Sequence, residues 1–247
     1  MKTLSPTQKR SWLECRGQWD YNYQMGLVPT QVTEAMDAGR KFHEVLADYY
    51  QVPYEERSEQ WLVRRCGEDD ERTMKFVRQY WKRFGRDSEV VGVQTEAEVR
   101  VDLGVFGIDL VVAHAFVDAL KVTPEKVIFW EHKTGEKPDQ EFYAFFNPQI
   151  YDIGWMLWEV YKRPVRCVVT CVGSGGAWRY DMAMPSDLHK NTREEWEEVA
   201  KDIYERRLPI IYTRTLNCKR CFYYELCFAR VTGGLEDYSM FGRKETQ

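Results

Sequence analysis

The stretch KVIFWEHKTG, residues 126–135, decides how the chain folds. Branched and aromatic residues dominate its first half, as in a buried strand, and a Thr-Gly pair ends it. Because side chains along a strand alternate between two faces, Glu131 and Lys133 share one face and His132 lies on the other. The stretch therefore predicts a strand, Lys126–Lys133, that presents a carboxylate beside an ammonium group.

Other strands and helices are predicted on both sides of this stretch. Short β-rich runs predict strands over Glu96–Leu103, Phe106–Ala113, Val165–Val172 and Trp178–Met184. Apolar residues at helical spacing predict helices over Ser11–Tyr23, Thr33–Tyr50, Arg72–Phe84, Gln140–Tyr161 and Asn191–Arg207. This order predicts an α/β fold with a mixed central sheet flanked by helices. No linker is evident, so we expect a single domain over residues 1–247 with its core at about residues 33–185.

Composition limits the class of protein. The chain has 247 residues, 44% of them hydrophobic, and a net charge of −4. It has no apolar run near the roughly 18 residues of a membrane span and no signal-peptide pattern. We therefore expect a soluble cytoplasmic protein without a membrane partner, in which thiols stay reduced.

One segment departs from the acidic average. Residues 201–230 carry seven basic and three acidic side chains, a local balance of +4, with aromatic residues between them. Cations beside stacking rings suit a nucleic-acid strand. On charge alone, an ordinary solvated helix end beside a small aromatic core explains the segment better.

Four of the seven cysteines suggest a metal centre. Cys218, Cys221 and Cys227 have the spacing C-x2-C-x5-C, and Cys15 lies far upstream. Thiolates this close together can bind one zinc ion or one iron–sulfur cluster, and either centre needs a fourth ligand. Cys15 would supply it and join two segments, at about residues 11–23 and 208–230. Taken alone, the cysteines favour zinc because structural zinc is common.

The middle strands carry the candidate chemistry. If the strands pair, Asp109 and Glu131 point two carboxylates into one site, and Lys133 lies one pleat away. Carboxylates are the ligands that Mg²⁺ prefers, and a nearby lysine offsets charge that develops on a phosphate. His43 lies on the buried stripe of the helix Thr33–Tyr50 and is either a nitrogen ligand or an ordinary core histidine. These are the parts that phosphodiester hydrolysis requires.

In their order, these motifs resemble those of the PD-(D/E)xK nuclease superfamily. The helix carries Gly39-x-x-x-His43, the next motif is Gly107-Ile108-Asp109, and Glu131-x-Lys133 precedes a helix with glutamine and tyrosine. Within the superfamily, the cysteine placement resembles the RecB-like branch with an iron–sulfur cluster, which includes AddB-type subunits, CRISPR adaptation nucleases and phage exonucleases. The resemblance runs from about Ser11 to Cys227 and implies a restriction-endonuclease-like core.

The resemblance also assigns roles to residues. It implies Mg²⁺ or Mn²⁺ held by His43, Asp109, Glu131 and the backbone carbonyl of His132, with Lys133 as the catalytic lysine. It implies that Gln149 and Tyr151 position the substrate, and that Cys15, Cys218, Cys221 and Cys227 hold a 4Fe-4S cluster. Two departures stand out: the usual Gly-x-x-Asp is one residue short here, and Ile153 occupies the tyrosine position of Gln-x-x-x-Tyr.

The function expected from this resemblance is that of a metal-dependent DNA exonuclease. Single-stranded ends are the favoured substrate, in recombination, repair or phage DNA processing, with a recombinase, helicase or integrase as a candidate partner. One alternative is a CRISPR adaptation nuclease that trims DNA ends. Another is a catalytically inactive DNA-binding clamp with a zinc or iron–sulfur knot, and a third is a redox sensor whose cluster is the output.

Overall fold

The structure divides into two units that share their longest strands. It is a computed structural model that describes residues 1–30, 33–67, 70–135, 147–185, 188–205, 210, 218 and 221–243. The first unit comprises Met1–Val32, Asp102–Ala113 and Glu194–Gln247, and the second comprises Thr33–Val101 and His114–Arg193.

The described residues contain eight strands and eight α-helices. The strands are β1 (Lys2–Leu4), β2 (Leu27–Pro29), β3 (Gln94–Phe106), β4 (Asp109–Val122), β5 (Val127–Thr134), β6 (Val165–Gly173), β7 (Gly176–Ala183) and β8 (Phe241–Arg243). The helices are α1 (Pro6–Glu14), α2 (Arg16–Trp19), α3 (Glu34–Gln51), α4 (Glu59–Cys66), α5 (Glu71–Phe84), α6 (Pro148–Tyr161), α7 (Leu188–Tyr204) and α8 (Tyr224–Thr232). None of these helices is long and apolar enough to cross a membrane.

A mixed sheet forms the centre of the second unit. Strand β4 pairs antiparallel with β5, β5 pairs parallel with β6, and β6 pairs antiparallel with β7. Strand β3 pairs with β4. Phe42 and Leu46 of α3 and Val77 of α5 pack in one apolar cluster with Trp130 and Val168 of the sheet, while α6 contacts β5 and β6. The prediction of a mixed sheet flanked by helices is therefore confirmed.

Local sequence signals explain the two helices that were predicted best. The hydroxyl of Thr33 accepts a hydrogen bond from the amide of Met36 at 3.3 Å and begins α3. The carboxylate of Asp70 accepts one from the amide of Thr73 at 2.9 Å and begins α5. Helix α5 ends at Gly85, whose φ of 57° suits a residue without a side chain.

Some predicted boundaries were wrong. Strand β4 does not end at Ala113 but continues to Val122. A helix, α4, forms between α3 and α5, where none was predicted. The helix predicted over Ser11–Tyr23 is interrupted, because Cys15 has an extended backbone with φ −161° and ψ 103°. In the helix predicted over Gln140–Tyr161, residues 140–146 lie outside the described residues, and the described helix α6 follows the cap Asn147.

The first unit packs early and late parts of the sequence together. Strand β1 pairs in parallel with Val111–Ala113 of β4, and β2 pairs antiparallel with β8. The rings of Tyr21 and Tyr223 stack with centroids 5.5 Å apart. The hydroxyl of Tyr223 donates to the carbonyl of Leu27 at 2.7 Å. These contacts hold α8 against the segment that follows α2.

Candidate active site and cysteine pocket

The carboxylate that the structure brings beside Glu131 belongs to Asp118. Ala119 pairs with Trp130, so the antiparallel register of β4 and β5 places Asp118 opposite Glu131. One carboxylate oxygen of Asp118 accepts from His43 Nδ1 at 3.0 Å. The other accepts from the backbone amide of His132 at 2.6 Å. Asp118 therefore joins α3 to the strand that carries Glu131 and Lys133.

The pairing of Asp109 with Glu131, predicted from the sequence, is not what the structure shows. Asp109 begins β4 in the first unit, where its charge acts on Tyr204. The prediction failed because it ended the strand at Ala113. Ala115-Phe116-Val117-Asp118 has the spacing of the family's Gly-x-x-Asp motif with alanine in the glycine position, and that signal was present in the sequence.

Glu131 and Lys133 contact each other at the end of β5. Lys133 Nζ donates to Glu131 Oε1 and also lies 3.4 Å from Gln149 Oε1. Gln149 comes from the first turn of α6, which the side chain of Asn147 caps. Glu131 is almost fully buried, whereas a quarter of the Lys133 side chain is exposed. The ammonium group of Lys133 thus reaches solvent, whereas the carboxylate of Glu131 lies inside the protein.

Burial and pairing set the charges of the site. Burial raises the pKa of Glu131, although Lys133 opposes the shift. Burial also acts to raise the pKa of Asp118, but the hydrogen bond with His43 outweighs it and the pKa is lowered. For His43, burial opposes protonation, yet Asp118 raises the pKa. Their contact therefore shifts Asp118 towards its ionised form and His43 towards its protonated form.

The side chain of His132 lies on the opposite face in a buried chain of hydrogen bonds. Its Nε2 is 2.9 Å from the hydroxyl of Tyr50, which is 2.9 Å from the hydroxyl of Tyr80. Tyr80 donates to Asp87, whose carboxylate also binds Arg179 at 2.6 Å. The carboxylate of Asp87 can only accept, so the hydroxyl of Tyr80 donates to it. The hydroxyl of Tyr50 then donates to Tyr80, and His132 Nε2–H donates to Tyr50.

Burial keeps the imidazole of His132 neutral. Burial lowers its pKa to about 4. The imidazole therefore has a structural role, while the backbone amide of the same residue holds Asp118.

Tyr151, two residues after Gln149 on α6, is half-buried and lies on a different face of that helix, because two residues rotate about 200°.

The donor types of the site suit a hard divalent cation. Asp118 and Glu131 offer carboxylate oxygens, and His43 offers an imidazole nitrogen, a set that Mg²⁺ and Mn²⁺ accept. Within the described ranges, no three such side chains are arranged to hold one ion. His43 is bonded to Asp118, and Glu131 is bonded to Lys133. A bound cation would therefore replace contacts that these groups make with one another.

The structure also brings the four predicted cysteines to one pocket in the first unit. Cys15, Cys218, Cys221 and Cys227 line a cavity of about 30 Å³. The amide of Cys221 donates to the carbonyl of Cys218 at 3.0 Å. Aromatic side chains surround the thiols, and burial raises the pKa of Cys221 and Cys227, with the neighbouring cysteines adding to the shift. The residues of this pocket form a sulfur-rich site with apolar walls.

The remaining cysteines have a different environment. Cys66, Cys167 and Cys171 are buried as free thiols in the second unit. Burial raises the pKa of Cys66 and of Cys171 to about 11. Buried thiols with raised pKa values behave as small apolar groups.

A mixed sheet with an acidic residue on one strand and Glu-x-Lys on the next characterises a class of nucleases. The protein belongs to the PD-(D/E)XK nuclease superfamily, whose sequence profile matches residues 3–228. Its fold is similar to the crystal structure of "Putative exonuclease" from Eubacterium rectale, with a TM-score of 0.55 and 8% identity over 84% of this chain and 83% of that chain. The crystal structure of SSO0001 gives a TM-score of 0.46 and 13% identity over 90% of this chain and 84% of that chain. No curated protein matches the sequence.

Proposed function

We propose that this nuclease is a metal-dependent DNA exonuclease whose active site contains Asp118, Glu131 and Lys133. The observation that carries the proposal is the meeting of Asp118, from β4, with Glu131 and Lys133, from β5, in a family of nucleases. His43 adds a fourth group from α3. Asp118 takes the place that the sequence reasoning gave to Asp109.

Each residue has a role that its chemistry supports. Asp118, Glu131, His43 and the carbonyl of His132 would hold Mg²⁺ or Mn²⁺, which supplies Lewis acidity and lowers the pKa of a bound water. Lys133 holds the attacking water and offsets negative charge on the phosphate. Gln149 positions Lys133 through their contact, and Tyr151 is assigned to the substrate.

We assign to this enzyme digestion from DNA ends, with a preference for single strands. The name of the Eubacterium rectale protein accords with an exonuclease. Five of the seven basic residues in the segment that suggested single strands lie outside the described residues. We place the enzyme, as one nuclease domain over residues 1–247, in cytoplasmic DNA recombination, repair or phage DNA processing. A recombinase, helicase or integrase would be its partner.

The second part of the proposal is a 4Fe-4S cluster in the cysteine pocket. Four thiols with apolar walls suit a cluster that is shielded from water. A zinc ion held by the same four thiols is the alternative. The visible absorption and the iron content of anaerobically purified protein test the cluster. A colourless protein with stoichiometric zinc would mean that the four cysteines bind zinc and not a cluster.

Cleavage of end-labelled single strands in the presence of Mn²⁺ tests the enzyme. We expect wild type to release nucleotides and Lys133→Ala to lose about 100-fold or more of the rate. Arg65→Ala is the control, because Arg65 is an exposed basic residue paired with Asp48 outside the candidate site. If wild type and Lys133→Ala are equally inactive while DNA still binds, the protein is the DNA-binding clamp instead.

A further inference from the structure

Helix α5 presents a row of exposed cations. Its only acidic residue is Glu71, at the first position. Arg72, Lys75, Lys82 and Arg83 are exposed and, with Gln79, cover an arc of about 100° beside the buried face of the helix. We call these five residues the basic stripe. It spans about 16 Å along the helix axis.

Some basic residues of the second unit have acidic partners. Arg65 bonds Asp48 at 2.6 Å, and Arg179 bonds Asp87 at 2.6 Å. Among the residues that the structure describes, none of the four cations of the stripe forms an ion pair or hydrogen bond. In a chain of net charge −4, such a row of unneutralised cations indicates a polyanionic partner.

An aromatic ring lies at one end of the basic stripe. Gln79, Lys82 and Arg83 line a cavity of about 370 Å³ together with residues 175–178, the turn between β6 and β7 and the start of β7. The half-buried ring of Trp178 lies over Gly176, where a Cβ would come within 3.3 Å of it. Gly176 has a φ of 149°, which a residue with a side chain rarely adopts. The turn therefore holds the ring of Trp178 beside Lys82 and Arg83.

The register of the sheet relates this cavity to the candidate active site. Lys133 pairs with Cys171, and Cys171 pairs with Trp178. Directly paired residues share a face, so Trp178 lies two strands from Lys133, about 10 Å away, on the same face. Helix α5 packs on the other face, where Val77 clusters with Val168 and Ala177. Trp178 therefore lies on the edge strand β7 between Lys133 and the basic stripe, and a strand held at Lys133 would reach the stripe around this edge.

We propose that the basic stripe and Trp178 bind single-stranded DNA, with a base stacked on Trp178 and phosphates on Lys82, Arg83 and the rest of the stripe. Cations that follow a backbone and a ring that stacks a base are the two means by which proteins hold unpaired strands. This inference deepens the proposed function, since it gives the nuclease a binding surface for its substrate outside the metal site.

Fluorescence anisotropy with a labelled oligothymidine of about 20 nucleotides tests the surface. EDTA prevents cleavage, so binding is measured alone. The double variant Lys82→Gln/Arg83→Gln should weaken binding about tenfold at low salt and reduce the slope of log affinity against log salt by about 1.4, because two phosphate contacts are lost. Trp178→Leu should weaken binding about fivefold or more with the slope unchanged.

The control is the double variant Arg10→Gln/Arg65→Gln, which removes the same charge from side chains that already have ion-pair partners. It should bind within about twofold of wild type. If the stripe variant binds as tightly as this control, the surface is not a DNA site. Circular dichroism checks the fold of Trp178→Leu, and the exposed charge variant remains a valid test if Trp178→Leu unfolds.

Cleavage assays keep this inference separate from the proposed function. If wild type digests DNA and the stripe variants bind it normally, the surface is refuted and the exonuclease stands. If wild type never cleaves and the stripe variants lose binding, the exonuclease is refuted and the DNA surface stands.

Discussion

Asp118 shows how one residue can organise a site from three elements. Its two oxygens accept from His43 of α3 and from the backbone of β5, and its own strand is β4. Such a carboxylate fixes the geometry of its neighbours as well as supplying charge. Its substitution should therefore disturb more than one function of the site.

We expect Asp118→Asn to lower the rate of Mn²⁺-dependent DNA digestion at least about 100-fold, because an amide is a weak ligand for a hard cation. Asp109→Asn should retain the rate to within about threefold. Both variants remove one negative charge from β4, so each is the control for the other. If Asp109→Asn alone lost activity, the metal ligand would be Asp109, as the sequence predicted, and not Asp118.

The Tyr50 hydroxyl is the acceptor for the buried imidazole of His132. Tyr50→Phe would leave that N–H unpaired, so we expect the free energy of unfolding to fall by about 1–3 kcal/mol. Urea unfolding followed by circular dichroism measures it. Tyr54→Phe removes a hydroxyl from a half-buried tyrosine nearby and should change stability little. Equal stabilities of the two variants would contradict the hydrogen-bonded chain described above.

Among the elements, α5 depends on its N-cap. Asp70 accepts from the amide and the hydroxyl of Thr73 and lies 3.1 Å from Lys41. We expect Asp70→Ala to lower the free energy of unfolding by about 1 kcal/mol, whereas Asp70→Asn, which can cap the helix in the same way, should lose less. Thermal or urea unfolding separates the two. Equal losses would mean that the charge, and not the cap, stabilises the helix.

The pH dependence of this cap follows from the pKa of Asp70. Burial acts to raise the pKa, but the hydrogen bonds from Thr73 and the contact with Lys41 lower it below its ordinary value. A lowered pKa contributes stability that is present above the unfolded-state value and is lost as the pH falls through the folded-state value. The difference between wild type and Asp70→Ala should therefore shrink in acid.

Elements with local signals were predictable from the sequence, and those set by distant pairing were not. Helices α3 and α5 each have a capping side chain and one apolar stripe, so their bounds could be read to within about a residue. The second half of β4 has small apolar residues, Ala115, Val117 and Ala119, at every second position. That pattern is weak alone, and pairing with β5 decides it.

The residues of the candidate site were likewise predictable only in part from the sequence. Glu131 and Lys133 are two residues apart, so the period of a strand was enough to place them on one face. The contact of His43 with Asp118 joins residues that are 75 positions apart, a separation that periodicity cannot reveal. Motif spacing offered a second signal, because Ala115 to Asp118 has the family spacing and Gly107 to Asp109 does not.

For the molecule as a whole, the cysteine pocket joins sequence positions 15 and 218–227 within the first unit. A bound cluster would stabilise the folded state because unfolding would release it. We expect Cys15→Ser to lower the melting temperature of cluster-loaded protein by several degrees. In protein prepared with a chelator, the two melting temperatures should agree to within about two degrees. A Cys15→Ser protein that keeps its metal and its melting temperature would exclude Cys15 as a ligand.

The division of β3 and β4 between the two units has a consequence for how such a gene can change. The chain passes from one unit to the other inside these strands, at residues 101–102 and 113–114. Neither unit is one continuous stretch of codons. No single deletion or insertion could therefore exchange one unit and leave the other intact, and the two have to be inherited together.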